Sequence, residues 1–109
     1  MLPEAKLDTL LARHAEVEAE LSGQLAGDAF VRLSREFAEL SPIVETVKNY
    51  RAAANEIADL ESMIADPSTG ADMRQIADAE LLTLRARRDA LEQDIRVHLI
   101  PKDAMDDRN

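Results

Sequence analysis

Apolar side chains recur every three or four residues along most of the chain, the spacing that places them on one face of an α-helix. Pro3 precedes the first such run, at a position where a helix tolerates a missing backbone N–H. The pattern therefore predicts a first helix over residues 4–22. Its apolar face comprises Leu7, Leu10, His14, Val17 and Leu21.

The next run is interrupted by a proline, so it predicts either one kinked helix or two separate helices. Pro42 lacks a backbone N–H and pushes Ser41 away from helical dihedral angles. We expect a break, with a second helix over residues 29–40 and a third over residues 42–66 that the Ser41 side chain caps. The apolar positions of these helices are Phe30, Leu33, Phe37, Leu40, Ile43, Val44, Val47, Tyr50, Ala54, Ile57 and Ile64, with Leu60 or Glu61 between the last two.

A segment rich in turn-forming residues separates the third helix from the last one. Residues 66–71 read Asp-Pro-Ser-Thr-Gly-Ala and predict a chain reversal. Asp72 and Gln75 have the spacing of a capping box, and Pro101 is expected to stop the helix, which predicts a fourth helix over residues 72–99. Its inward face comprises Ala77, Leu81, Leu84, Leu91 and Ile95.

The composition supports the same architecture. Ala, Leu, Glu, Arg and Lys make up about half of the chain, a bias typical of long helices and coiled coils. The predicted fold class is all-α, an elongated antiparallel helical bundle of three to four helices with a long hairpin formed by the third and fourth. Residues 1–101 form the helical domain and residues 102–109 a linker. Because the apolar faces can close within one chain or between two, a homodimer is an alternative.

The net charge narrows the range of partners. Thirteen basic and 22 acidic side chains give a formal charge of -9, which repels phosphate backbones and argues against DNA binding. The chain has no cysteine, and therefore no disulfide or thiolate chemistry, which fits a reducing cytoplasm. No apolar run approaches the ~20 residues that span a bilayer, so we expect a soluble, cytoplasmic protein without membrane contact.

The sharpest basic cluster consists of Arg85, Arg87 and Arg88 in the fourth predicted helix. Guanidinium groups bind RNA phosphates or carboxylates of a protein partner, so these three arginines are the candidate partner-binding residues. The structural alternative is pairing within the helix to Asp89 and Glu92, on a face exposed to solvent.

The two histidines do not predict a catalytic or metal site. His14 lies in the apolar pattern of the first helix without a second ligand nearby, so packing or a local hydrogen bond is expected. His98 follows Asp94 by four residues and is expected to interact with the end of the fourth helix. We predict no catalytic, cofactor-binding or metal-binding residue, and hence no enzyme activity of this chain alone.

Two segments carry a family resemblance. Residues 33–40 read Leu-Ser-Arg-Glu-Phe-Ala-Glu-Leu, and residues 99–109 follow the pattern L-x-P-K-D-x-x-D-x-R-N. Both resemble the N-terminal domain of bacterial class I peptide chain release factors of the type that reads UAA and UAG. Ala104 stands where the family usually has proline, and residues 68–71 look like an insertion. The residues assigned to the linker by this resemblance are Pro101, Lys102, Asp103, Asp106, Asp107, Arg108 and Asn109.

The resemblance implies a fragment of a factor that recognises UAA or UAG in the ribosomal A site and triggers peptidyl-tRNA hydrolysis. This domain would contact the GTPase-associated region and stalk base of the ribosome, the class II release-factor GTPase and the release-factor glutamine methyltransferase. The family's Gly-Gly-Gln and Pro-x-Thr motifs are expected beyond residue 109, so the similar tripeptides at 22–24 and 67–69 are interpreted as local turns. The alternative is a free-standing coiled-coil adaptor or small helical chaperone that acts through homodimerisation.

Overall fold

The computed structural model describes the backbone of residues 2–107 and the side chains of residues 2–99. Its three helices are α1 (Glu4–Leu21), α2 (Gly27–Ala65) and α3 (Ala71–Asp107). Because all regular structure within residues 2–107 is helical, the predicted all-α class is confirmed. None of the helices in this described part is both long enough and apolar enough to cross a membrane.

The predicted break at Pro42 is wrong, because α2 continues through it as one helix of 39 residues. Leu33, Val44 and Val47 lie before and after the proline and are all buried. Their spacing puts them on one face only if the helix is uninterrupted. Each buried aliphatic side chain contributes about 1.5–3 kcal/mol, which together outweighs the roughly 3 kcal/mol that an interior proline costs.

Local hydrogen bonds adapt α2 to this proline. The predicted capping role of Ser41 is wrong, because its hydroxyl instead donates back to the Phe37 carbonyl at 2.7 Å. One turn later, the Thr46 hydroxyl donates to the Pro42 carbonyl at 3.0 Å. The carbonyl of Ala38, which loses its N–H partner, belongs to an exposed residue, so water can bind it.

The last helix is also longer than predicted at both ends. It begins at Ala71, where the Arg74 N–H donates to the Gly70 carbonyl at 2.9 Å, so Asp72 lies in the first turn rather than at the cap. It continues through Pro101 to Asp107, so the predicted stop at Pro101 is wrong, and the role of residues 102–109 as a linker stays a prediction. The carbonyl that Pro101 leaves without a partner is that of exposed Val97, where water can replace the bond. Arg108 and Asn109 lie outside the described residues.

The chain divides into two compact units, Met1–Val47 and Lys48–Asn109, and α2 contributes to both. In the first unit, α1 pairs with the first part of α2 across the connection formed by residues 22–26. The buried apolar side chains of this unit are Leu2, Leu7, Val17, Leu33, Ile43, Val44 and Val47.

The second unit is the predicted helical hairpin, formed by the last part of α2 and by α3 around the turn at residues 66–70. Its buried apolar side chains are Ala53, Ile57, Ala77, Leu81 and Ile95. The inward face predicted for the last helix is thus confirmed at Ala77, Leu81 and Ile95, whereas Leu84 and Leu91 are only half-buried.

Candidate interaction surfaces

The three arginines of the predicted basic cluster do not share one side of α3, because Arg87 points away from Arg85 and Arg88. With 3.6 residues per turn, Arg85 and Arg87 lie about 160° apart around the helix axis. Arg85 Nη2 donates to Glu61 Oε2 on α2 at 3.0 Å and so connects the two arms of the hairpin. Arg88 donates from Nε and Nη2 to Asp89 Oδ1 at 3.3 and 3.2 Å. The cluster in the sequence is therefore not one basic patch.

The pairing expected within the helix is confirmed for Asp89 and wrong for Glu92. Glu92 Oε2 pairs with Arg96 Nη2 at 2.9 Å, one turn further along α3. Arg87 is exposed and forms no ion pair with any residue whose side chain is described. It is the one guanidinium of the three that is available to a partner. Contact with RNA stays a prediction.

The turn of the hairpin is fixed by polar contacts. The Asp66 carboxylate accepts hydrogen bonds from the Ser68 N–H at 2.9 Å and the Ser68 hydroxyl at 2.7 Å. These bonds, the backbone one first, hold the pKa of Asp66 below its usual value. The Thr69 hydroxyl donates to the Met63 carbonyl at 2.7 Å, and Arg74 Nη2 donates to the carbonyls of Asp66 and Thr69, each at 3.2 Å. These contacts add side-chain donors to carbonyl groups in the last turn of α2 and in the turn that follows it.

In the first unit, a bidentate ion pair joins α1 to α2. Arg13 Nε donates to Glu36 Oε2 at 2.6 Å, and Arg13 Nη2 donates to Glu36 Oε1 at 2.7 Å. The remaining nitrogen, Nη1, donates to Glu16 Oε1 at 2.9 Å. The hydrogen bonds between the two side chains lower the pKa of Glu36 and raise that of Arg13. A planar guanidinium fixed by two parallel bonds gives directional as well as electrostatic pairing.

His14 occupies the next position along this contact. Its ring stacks on Phe37 with centroids 4.6 Å apart, and Nε2 lies 3.0 Å from the Ser41 hydroxyl oxygen. Because the Ser41 hydroxyl donates its single hydrogen to the Phe37 carbonyl, it accepts from His14 Nε2. The packing and hydrogen-bonding role expected for His14 is confirmed. His98 is exposed within a helix that continues past it, so the predicted interaction with the helix end is wrong.

Comparison with known proteins relates this arrangement to a family. The PCRF domain family matches residues 10–109. Peptide chain release factor 1 of Rhizobium rhizogenes is 43% identical over 108 residues, which cover 99% of this chain and 30% of that protein. The chain belongs to the peptide chain release factor family. It spans less than a third of the length of this relative, and no solved structure matches it.

The first resembling segment of this release factor domain, residues 33–40, has a clear structural role. Leu33 is buried, Glu36 receives Arg13, and Phe37 stacks on His14, so the segment forms the α2 side of the contact with α1. In the second segment, residues 99–107 continue α3. Leu33, Glu36 and Phe37 of this family-like segment thus stabilise the contact between α1 and α2.

Two structural arginines of the release factor domain were missed by sequence reasoning. Arg13 and Glu36 are 23 positions apart on separate helices, and no local pattern connects them. Arg74 follows a turn, and its bonds to the carbonyls of Asp66 and Thr69 depend on the path of that turn. In both cases the sequence shows only an arginine on a partly apolar helix face. Several other arginines of the chain have the same local pattern, so it did not single out these two.

The depressed pKa of Glu36 predicts an acid-dependent loss of stability. A carboxyl group with a lower pKa in the folded state stabilises the fold above its unfolded pKa, near 4.5, and this contribution is lost as pH falls through the folded pKa. Glu36→Gln is therefore expected to lower stability at pH 7 and to make it less sensitive to acid. Urea unfolding at pH 7 and pH 3 measures both effects.

Glu39→Gln is the matched control, because Glu39 lies on the same helix and is exposed. It is expected to retain the acid sensitivity of the parent chain. If the free energy of unfolding changed equally between pH 7 and pH 3 in the two variants, the role assigned to the Arg13–Glu36 pair would be contradicted.

Proposed function

We propose that this chain is the helical N-terminal domain of a peptide chain release factor and serves as its ribosome-contacting arm in translation termination in the cytoplasm. The match of the PCRF family to residues 10–109 carries the proposal. The complete factor would recognise UAA or UAG in the ribosomal A site and trigger peptidyl-tRNA hydrolysis, as the resemblance to factors of that type implies.

We propose that the arm supplies contacts and no catalytic group. The ring of His14 is half-buried against Phe37 and its Nε2 lies 3.0 Å from the Ser41 hydroxyl, so this histidine belongs to the contact between α1 and α2. His98 is solvent-exposed, and among the described residues it belongs to no group of three or more His, Cys, Asp or Glu side chains that could hold a metal ion. The role that fits two hairpins held by ion pairs is the presentation of helix surfaces.

The proposed partners are the GTPase-associated region and stalk base of the ribosome, the class II release-factor GTPase and the release-factor glutamine methyltransferase. The resemblance supports these partners, and the acidic charge of -9 favours protein surfaces over bare RNA phosphates. Arg87, exposed and without an ion pair among residues 2–99, is the candidate contact to a phosphate or carboxylate.

A domain exchange tests the proposal. This chain replaces the matching 108 residues of the Rhizobium rhizogenes factor, and a deletion variant of that factor lacks those residues. Peptide release is measured on ribosomes programmed with UAA. We expect the exchanged factor to retain kcat/KM within about threefold, and the deletion to raise KM at least about tenfold with a smaller change in kcat, because an arm contributes binding rather than chemistry.

A deletion that lowers kcat and leaves KM unchanged would contradict the role of a binding arm. A hairpin of unrelated sequence in the same position is the control, and it is expected to behave like the deletion. Sedimentation equilibrium of the isolated chain tests the adaptor alternative. The adaptor requires a dimer at micromolar concentration, whereas the proposed function leads us to expect a monomer.

A further inference from the structure

The hairpin of the second unit exposes several large apolar side chains near its turn. On α3, Met73 and Ile76 are 52% and 54% exposed, and on α2, Met63 is 39% exposed. Leu84 is half-buried and lines a groove with Ala79, Glu80 and Thr83. We call Met63, Met73, Ile76 and Leu84 the apolar face of the hairpin. Exposed methionine is frequent at surfaces that bind apolar helices, because its side chain adapts to the partner.

The position of the Arg85–Glu61 ion pair shows that Met63 and Ile76 share one side of the hairpin. The pair marks the opposite side, where the two helices are bridged at 3.0 Å. Met63 is two residues from Glu61, about 160° around α2, and Ile76 is nine residues from Arg85, about 180° around α3. Both therefore lie on the side that faces away from the ion pair, and together they flank the line along which the helices meet.

Acidic side chains border this face. Glu56 and Asp59 precede Met63 on α2 by seven and four residues, and Asp72 and Glu80 lie four residues before and after Ile76 on α3. All four are exposed, and none forms an ion pair within the part of the chain whose side chains are described. We call these four residues the acidic rim.

The charge of the rim selects among possible occupants. Four carboxylates around an apolar surface repel RNA and anionic lipid, and a second copy of this chain would bring the same four carboxylates against them. A helix with an apolar stripe bordered by lysine or arginine matches both features, because its stripe covers the apolar face and its cations meet the rim. Arg87, which is exposed, lies on the same side of α3 as the rim.

We infer that the apolar face and acidic rim form a docking site for one basic amphipathic helix of a protein partner. The inference rests on the proposed function, because a contacting arm needs a binding surface. It identifies the apolar face and acidic rim as that surface and a basic amphipathic helix as the partner. The site lies on the hairpin, so it does not involve the contacts between α1 and α2.

A peptide-binding experiment tests the inference on the chain as it stands. The probe is a fluorescent helical peptide of about 18 residues, with leucine at helical spacing and lysine elsewhere, and the control probe has glutamate in place of lysine. We expect the lysine peptide to bind with an affinity that falls with added salt, and the glutamate peptide not to bind. Fluorescence anisotropy gives the Kd.

Paired variants separate specific docking from general attraction to an acidic protein. Met73→Gln with Ile76→Gln is expected to raise Kd at least about tenfold, whereas Leu82→Gln with Val97→Gln, which changes apolar residues elsewhere on α3 that are at least as exposed, should leave Kd within about twofold. Glu56→Gln with Glu80→Gln should raise Kd about three- to tenfold, and Glu18→Gln with Glu20→Gln on α1, with the same loss of charge, should not. Circular dichroism confirms that each variant is folded.

Three results would overturn the inference: equal binding of both peptides, equal effects of a variant pair and its control pair, or a dimer of the isolated chain that Met73→Gln with Ile76→Gln dissociates. The last result would assign the face to a second copy. If the peptide fails to bind while the exchanged factor keeps its release activity, the docking site is rejected and the proposed function stands. If the exchanged factor loses its release activity while the peptide binds, the proposed function is rejected and the docking site stands.

Discussion

Replacing Ile95 with aspartate is expected to unfold the chain or to lower its free energy of unfolding by at least about 4 kcal/mol. Ile95 is completely buried, so the substitution removes an apolar side chain from the interior and leaves a carboxylate without a partner. A domain of this size has a total stability of about 5–15 kcal/mol, so this one change removes a large part of it. Urea denaturation followed by circular dichroism measures the loss.

Val97→Asp is the matched control for this prediction. It introduces the same carboxylate two residues away on α3, at a side chain that is 54% exposed. Its effect is expected to stay within about 0.5 kcal/mol, since surface substitutions rarely cost more. If the two variants unfolded at the same urea concentration, the burial of Ile95 would be refuted.

Replacing Pro42 with alanine is expected to stabilise the chain by about 1–3 kcal/mol. Alanine restores the N–H that the Ala38 carbonyl lacks and removes the roughly 3 kcal/mol cost of an interior proline. Part of this gain, about 0.4–1 kcal/mol, is lost because alanine also gives the unfolded chain more freedom. Pro42 is exposed, so the substitution removes little packing. Thermal unfolding should show a higher midpoint.

Pro67→Ala provides the contrast, because Pro67 lies in the turn between α2 and α3 and interrupts no helix. In this variant the only effect is the greater freedom of the unfolded chain, so the free energy of unfolding is expected to fall by about 0.4–1 kcal/mol. A Pro42→Ala variant that is no more stable than the parent would show that the chain does not carry a continuous helix through this position.

The spacing of apolar residues predicted which segments of the chain are helical, and it failed at prolines, where it predicted four helices instead of three. The first helix and the turn at residues 66–70 follow from local patterns, as do the buried positions Val17, Leu81 and Ile95. Pro42 and Pro101 indicated helix ends because proline lacks the backbone N–H that a helix interior requires. The sequence alone does not reveal that Leu33, Val44 and Val47 are buried on one face, and this burial favours a continuous helix across Pro42.

The candidate site was predictable only in part, because neighbours in sequence point in different directions on a helix. Arg85, Arg87 and Arg88 form one cluster in the sequence, and in the fold two of them are engaged by Glu61 and Asp89. The apolar face of the hairpin was not recognised from the sequence. Met73 and Ile76 fit the helical spacing of a core, and only the packing of α3 shows that they stay exposed.

By itself the sequence determined an all-helical domain, its turns and its membership of the release factor family, because helical periodicity, turn residues and family motifs are properties of neighbouring positions. The tertiary structure alone decided which prolines a helix can contain, which arginines stay available and which apolar side chains remain uncovered. Those outcomes depend on contacts between residues far apart in the chain, such as Arg13 with Glu36, whose energies no local pattern contains.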